Sequence, residues 1–300
     1  MSPDVVITDP RSVPEGPRDV VRAYIELTKP RIIELLLTTT VPAMILAEGG
    51  WPGTWLVLAT LIGGTLSAGG ANTINQVVDA DIDRIMSRTK ARPLPTDRIE
   101  PRRALIFGWL LGAAGFLWLW ATVNLPAAAL TTSGLLFYVF VYTLALKRSS
   151  AQNIVIGGAA GAVPALVGWA AVTGDLALPA WVMFAIIFFW TPPHFWALAI
   201  RYRDDYEAAG VPMLPVVVGP QRTMLHIMAY SAVLVGTSLL LIPTGVVGAF
   251  YTVVATILGI ATIGAAWWLR DHEDQAIRYF VGSNFYLAAL FAAMAVDGLL

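Results

Sequence analysis

Several kinds of residue are scarce or absent in this sequence. It has no cysteine, which excludes disulfides, thiolate metal sites and cysteine nucleophiles. Only 13% of its 300 residues are charged, against roughly 25% in soluble domains. The first 20 residues lack the apolar core of a secretory signal, and their acidic residues argue against a mitochondrial transit peptide.

Apolar sequence takes the place of the missing charge, since 57% of the residues are hydrophobic. Long apolar runs of this kind predict an all-α polytopic membrane protein. We predict a disordered tail over 1–20, then a domain over 21–300, with a short interfacial helix over 20–27 at the boundary between them. The domain holds nine transmembrane helices, arranged as two related four-helix halves plus a ninth helix. The predicted spans are 32–47, 55–79, 104–122, 127–146, 153–173, 178–200, 223–243, 246–269 and 278–298.

The basic residues all fall on one side of this arrangement. The 19 Lys and Arg residues lie before the first span and in alternate loops, whereas the opposite side has no base. The positive-inside rule then predicts a multi-pass plasma-membrane protein with a cytoplasmic N-terminus and an outward C-terminus. The two longest charged loops follow the second and sixth helices. We therefore expect chemistry where these two loops meet, at the cytoplasmic face.

Polar residues at regular spacing end the second predicted helix. Asn75, Asp79 and Asp83 lie four residues apart, and each step of four advances only about 40° around a helix. They therefore share one face, while Asp81 points away and is expected to be a spectator. Ionisable groups at bilayer depth are costly and usually functional. Bases follow at once in the adjoining loop: Arg88, Lys90 and Arg92.

A second acidic cluster begins the loop after the sixth helix, where Asp204 and Asp205 are adjacent. Carboxylates near phosphate groups are typical ligands of Mg²⁺, which keeps waters and substrate phosphates as its other ligands. Nearby bases indicate a bound anion, whose remaining charge they would neutralise. A cavity between apolar helices would hold a lipid tail and exclude water. These features predict Mg²⁺-assisted ionisation of a lipid diphosphate.

The Asn75, Asp79 and Asp83 pattern, with nine helices and an Asp-bearing loop after the sixth, resembles the UbiA superfamily of intramembrane prenyltransferases. Five stretches in order are similar to its protohaem IX farnesyltransferase branch. They are TKPR at 28–31, RTKARPLP at 88–95, QNIVIGG at 152–158 following a Lys-Arg pair, WTPPHFW at 190–196, and DDY at 204–206 leading into AGVPMLP at 209–215.

This resemblance implies transfer of farnesyl from farnesyl diphosphate to a vinyl group of haem B, giving haem O. It implies membrane lipid as the medium, no nucleic-acid partner, and product hand-off to haem A synthase or terminal oxidase assembly. The polar face formed by Asn75, Asp79 and Asp83 would be catalytic and would bind Mg²⁺. Asp204 or Asp205 would also bind the metal, and the resemblance does not decide which. Gln76 departs from the superfamily, which usually has an acid there. The implied diphosphate-binding residues are Arg88, Lys90, Arg92, Lys147, Arg148 and Asn153.

His194 lies in the Pro-broken aromatic stretch of the sixth helix. It would orient or ligate haem or assist proton transfer, and its alternative is ordinary packing. Gly157, Gly158 and Gly161 are expected at close helix contacts. Glu34 is unexplained, with a buried ion pair as one interpretation.

Three other functions compete with haem farnesylation. Prenyl transfer to a quinone-precursor ring needs the same diphosphate chemistry with a smaller acceptor. A transporter would place its ionisable groups near the midplane, whereas these acids cluster at helix ends. A purely structural assembly role leaves the acidic face unexplained.

Overall fold

The computed structural model describes residues 16–300, apart from the side chains of 31, 32 and 34–37, so the predicted pairing of Glu34 lies outside the described residues. Over that range the chain is helical, without strands. The predicted interfacial helix is α1 (Pro17–Thr28), whose start lies inside the predicted tail. Residues 1–15 lie outside the described residues.

Within the described residues, eight helices are long and apolar enough to cross a membrane. They match the second to ninth predicted spans, with ends that differ by a few residues. The first predicted span lies in α2 (Pro30–Glu48), part of whose side chains are not described. The eight are α3 (Thr54–Val78), α5 (Pro101–Thr122), α6 (Leu125–Leu136) with its continuation to Leu146, α7 (Asn153–Thr173), α8 (Leu178–Arg201), α11 (Pro220–Leu239), α12 (Ala249–Leu269) and α13 (Ala276–Leu299). Short helices in the charged loops are α4 (Ala80–Ile85), α9 (Arg203–Ala208) and α10 (Leu214–Val218).

The fourth span changes helix type midway. After α6, the residues Phe137–Leu146 form a π-helix, called the π segment below. The Lys147 amide accordingly donates to the carbonyl oxygen of Tyr142, five residues back, at 2.8 Å. The sequence pattern predicted one regular helix here, because an apolar run has the same composition in either helix type. π-helical turns are rare and recur at functional sites.

The spans form a closed ring. Each span from α3 onward packs mainly against its neighbours in the chain, and α13 returns to pack against α2, α8 and α12. The predicted halves are therefore α2 to the π segment and α7 to α12, with α13 as the ninth helix. α2 also crosses to α7, which joins the halves.

Glycines set the distance between neighbouring helices near the charged loops. A Cβ on Gly157 would lie 2.3 Å from the ring of Tyr142, and a Cβ on Gly158 would lie 3.0 Å from Thr191. The prediction of close helix contact is confirmed for these two. It is wrong for Gly161, where a Cβ would meet nothing within 4 Å, because this position of α7 faces open space.

The two long charged loops meet over one end of the bundle, as predicted. Apolar side chains from both loops and from the ends of α7 and α8 form one buried cluster. Its members are Ile82, Met86, Ile154, Ala199, Tyr206, Val211 and Met213. Because this cluster joins the loops, residues far apart in the chain are held together at the ends of α3 and α8.

Candidate active site

The predicted polar face lies where α3 gives way to α4. Asn75, Asp79 and Asp83 are 3%, 0% and 2% exposed. The Asp79 amide donates to Asn75 O at 2.9 Å, and the Asp83 amide donates to Asp79 O at 2.8 Å. Helical hydrogen bonding thus continues across the junction, so the three residues keep a common face. Asp81 is exposed on the opposite side, as expected.

Bases from two other segments reach these carboxylates. The Lys147 ammonium, at the end of the π segment, donates to Asp79 Oδ2. The guanidinium of Arg92 donates to Asp83 Oδ2 at 2.7 Å from the first charged loop. Asp79 Oδ1 is buried and has no hydrogen-bond partner among the described residues. One carboxylate oxygen is therefore free to accept a ligand.

Arg148 occupies the rim of this cluster. Its guanidinium makes two 2.7 Å hydrogen bonds to the exposed carboxylate of Asp81, and its Nη2 lies 3.9 Å from Asp79 Oδ1. The hydrogen bonds to Arg148 lower the pKa of Asp81 to about 2. Asp81 therefore stays ionised at neutral pH and holds the guanidinium beside the buried acid.

Lys29 is a site residue that the sequence predictions missed. Its Nζ donates to Asn75 Oδ1 at 2.8 Å. It separates α1 from α2 and adopts a left-handed backbone, with φ 53°, which is uncommon for a residue with a side chain. Burial lowers the pKa of Lys29 to about 7, and the positive charges of Arg92 and Lys147 add to the effect. Two signals were available: the lysine lies between a helix end and a proline, and it belongs to the TKPR stretch that resembles the family.

Amide side chains of α3 fix the end of α1, and with it Lys29. Asn72 Nδ2 donates to the carbonyl oxygen of Thr28 at 3.0 Å. Gln76 Nε2 donates to the carbonyl oxygens of Leu27 and Glu26, at 2.8 and 3.3 Å. The last carbonyls of a helix need such donors. An ionised acid at 76 could only accept, which gives a physical reason for the glutamine at this departure from the family pattern.

The second acidic loop reaches the first through one aspartate. Asp205 Oδ2 accepts hydrogen bonds from the Ser87 amide at 3.1 Å and from the Ser87 hydroxyl at 2.5 Å. Its neighbour Asp204 is exposed to solvent. Of the two adjacent acids, Asp205 is therefore the one that the fold brings to the first loop.

The other predicted diphosphate ligands are placed less uniformly. Arg88 stacks over the ring of Tyr202, with 5.8 Å between its guanidinium carbon and the ring centre, and Lys90 is exposed. Asn153 is fully buried and donates from Nδ2 to the Lys147 carbonyl oxygen at 3.2 Å. Asn153 therefore supports the turn that carries Lys147.

His194 lies within an aromatic cluster between α8 and α13. Its ring stacks between Trp190 and Phe280, with centroid distances of 4.1 and 4.2 Å. Its Nδ1 lies 2.7 Å from the Ser283 hydroxyl, and Trp190 Nε1 donates to the Ser283 carbonyl oxygen. These contacts are those of a well-packed histidine, and its role in chemistry stays a prediction.

The arrangement suits a multiply charged anion. Lys29, Arg92 and Lys147 converge on the two buried residues Asp79 and Asp83 and on Asn75, so three basic side chains face two acidic ones in a space largely withdrawn from water. Among the described residues, no group of three or more His, Asp or Glu side chains is placed to hold a metal alone. A metal here would need ligands from a bound anion.

The fold and this site define a class: a multi-pass, all-helical membrane protein with a buried acid and base cluster under two interlocked loops. Residues 36–295 match the family described as the UbiA prenyltransferase family. The chain belongs to that family, and it is a prenyltransferase.

Two relatives are about 50% identical to this chain over most of its length. The chain is 52% identical over 295 residues to protoheme IX farnesyltransferase 2 of Saccharopolyspora erythraea, covering 95% of this chain and 89% of that relative. It is 50% identical over 290 residues to the protoheme IX farnesyltransferase of Clavibacter sepedonicus, covering 93% of each chain.

Solved structures share the fold. A digeranylgeranylglyceryl phosphate synthase superposes with a TM-score of 0.75 at 19% identity, covering 94% of this chain and 99% of the other. A UbiA homologue from Archaeoglobus fulgidus, bound to DMAPP and Mg²⁺, gives 0.65 at 17% identity and covers 91% of this chain and 99% of the other. At these identities the likeness concerns the fold alone.

Proposed function

We propose that this protein transfers farnesyl from farnesyl diphosphate to a vinyl group of haem B and so makes haem O. The observation that carries the proposal is the convergence of Lys29, Arg92 and Lys147 on Asp79 and Asp83 at one end of the bundle. The relatives named protoheme IX farnesyltransferase, about 50% identical over most of the chain, support the choice of haem as acceptor.

The residues present fit Mg²⁺ bound together with a diphosphate. Mg²⁺ usually takes one or two carboxylates and completes its octahedron with water and substrate phosphates. Asp79 offers a buried oxygen without a hydrogen bond, and Asp83 offers a second carboxylate nearby. We assign these two acids and Asn75 Oδ1 to the metal, and Asp205 stays a predicted ligand from the second loop. When bound, Mg²⁺ supplies charge neutralisation for the departing diphosphate.

The bases bind and orient the diphosphate in this scheme. Lys147 and Arg92 exchange their carboxylate partners for phosphate oxygens, while Lys29 approaches from the α1 end. The allylic C–O bond breaks, diphosphate leaves, and the vinyl group of haem attacks the allylic carbon. The resulting haem side-chain cation takes up water and loses a proton, which gives the hydroxyethylfarnesyl group.

Orientation in the membrane follows from the charge distribution. All Lys and Arg residues lie before the first span, in the loops on the side of the acid and base cluster, or at the helix ends that adjoin those segments, so we place that cluster at the cytoplasmic face of the plasma membrane. The N-terminus is then cytoplasmic and the C-terminus is outside. Product hand-off to haem A synthase or to oxidase assembly stays a prediction.

The first experiment supplies the purified full-length protein, in lipid nanodiscs, with haem B, farnesyl diphosphate and Mg²⁺. Haem O identified by mass spectrometry, lost with EDTA and restored by added Mg²⁺, is the expected result. If the folded protein makes no haem O but prenylates a quinone-precursor ring, that ring replaces haem as the proposed acceptor. For His194, the haem-bound Soret band of His194→Ala decides between haem ligation, which shifts the band, and packing, which lowers stability alone.

A further inference from the structure

The side-chain amide of Asn75 has only one orientation that satisfies its neighbours. The Lys29 ammonium can only donate, and it donates to Oδ1 at 2.8 Å. The Asp79 carboxylate can only accept, and it accepts from Nδ2 at 2.7 Å. A third contact joins Nδ2 to the Thr143 hydroxyl oxygen at 3.2 Å. Oδ1, the one atom of this amide able to ligate a cation, therefore points away from Thr143.

The π segment sets which backbone carbonyl accepts the Thr143 hydroxyl proton. In the α-helical part of the same span, Thr131 donates its hydroxyl proton to the carbonyl oxygen four residues back, Ala127 O. In the π segment, Thr143 donates instead to Tyr138 O, five residues back, at 2.8 Å. Because its proton is committed there, the hydroxyl meets Asn75 as an acceptor. Thr143 is fully buried, so water does not compete for either contact.

We propose that Thr143 is a positioning residue for the diphosphate site: its hydroxyl, directed by the π segment, holds the Asn75 amide so that Oδ1 faces Lys29 and is presented to a cation that takes the place of the ammonium there. This rests on the proposed function, since it assumes that Asn75 binds metal together with diphosphate. The sequence gives no sign of it, because Thr143 and Asn75 are 68 residues apart in the chain.

Two substitutions, one that keeps the size of the side chain and one that keeps its hydroxyl but removes a methyl group, separate orientation from packing. Thr143→Val keeps the shape and removes the acceptor, whereas Thr143→Ser keeps the hydroxyl. The readout is Mn²⁺ binding to the full-length protein in nanodiscs, measured by electron paramagnetic resonance with an unreactive farnesyl thiodiphosphate present. Loss of a side chain that orients a metal ligand costs about 10- to 100-fold in metal affinity. We expect a rise of this size in the Mn²⁺ dissociation constant for the valine variant and near wild-type binding for the serine variant.

A double variant tests whether Thr143 acts through Asn75. In an Asn75→Ala background, adding Thr143→Val should change the Mn²⁺ dissociation constant no further, whereas additive losses would overturn the proposal. The proposal would also be overturned if Thr143→Val bound Mn²⁺ as tightly as wild type, or if the Val and Ser variants lost equal affinity. A wild-type protein that binds no Mn²⁺ would overturn it as well. If the valine variant does not fold, Thr143→Ala carries the same expectation.

The haem O assay keeps the two proposals apart. Wild-type protein that binds Mn²⁺ with the Val and Ser difference, yet makes no haem O, removes haem as the acceptor and retains the role of Thr143. Haem O production with equal Mn²⁺ binding in all Thr143 variants retains haem as the acceptor and overturns the role of Thr143.

Discussion

Two aspartates of the α3–α4 junction give a controlled test of the buried site. Asp79→Asn and Asp81→Asn remove the same charge from neighbouring positions of one helical region. Asp79 is fully buried and paired with Lys147, whereas the Asp81 side chain is 64% exposed and paired with Arg148. The two variants therefore differ in environment and not in chemistry.

The structure sets different magnitudes for the two changes. Removing one partner of a buried ion pair typically costs 3–5 kcal/mol, because the other charge is left uncompensated. The Lys147 side chain keeps 16% exposure, so we expect about 3 kcal/mol for Asp79→Asn, the lower end of that range. An exposed pair contributes at most about 1 kcal/mol, so Asp81→Asn should lower the free energy of unfolding by no more than that amount. A carboxylate that holds the metal supports several kcal/mol of transition-state stabilisation, which predicts a loss of roughly 100-fold or more in prenyl transfer for Asp79→Asn alone.

The assay combines haem O formation in nanodiscs with urea-dependent unfolding in mixed micelles for wild type and both variants. Asp81→Asn should retain most activity and most stability. Equal losses of activity in the two variants, or full activity of Asp79→Asn with Mg²⁺ present, would refute the reasoning from burial.

Three further predictions concern packing, the second loop and the missed lysine. Gly157→Ala should destabilise the fold by about 1–3 kcal/mol, because its new Cβ would lie 2.3 Å from a tyrosine ring of the π segment. Gly161→Ala, in the same helix with open space around it, should be neutral or stabilising in the same urea-dependent unfolding assay. Asp205→Asn should reduce prenyl transfer more than Asp204→Asn, since Asp205 alone is joined to the first loop; the reverse order would remove Asp205 from the site. Lys29→Met should raise KM for farnesyl diphosphate roughly 10-fold by loss of a charged hydrogen bond, and an unchanged KM would exclude contact with the diphosphate.

Local sequence patterns were sufficient for the architecture. Each span is signalled by its own apolar run, because the bilayer acts on every segment separately. The bases of each loop predict the side on which it lies. The polar face could also be predicted, since helical geometry alone aligns Asn75 with Asp79 and Asp83. The helix breaks between α3 and α4, yet its hydrogen bonds continue through the break, and the alignment survives.

Only the tertiary structure decided which partners the residues of the polar face meet. Lys29 reaches Asn75 because amides of α3 fix the end of α1, and Thr143 reaches it because the π segment displaces the helical register. The choice of Asp205 over Asp204 depends on a contact with Ser87, 118 residues away in the chain. Such contacts form when distant segments share buried surface, and no period or composition of one segment records them. The sequence therefore determined the helices and the acidic face, and the packing of the loops and the π segment determined the site.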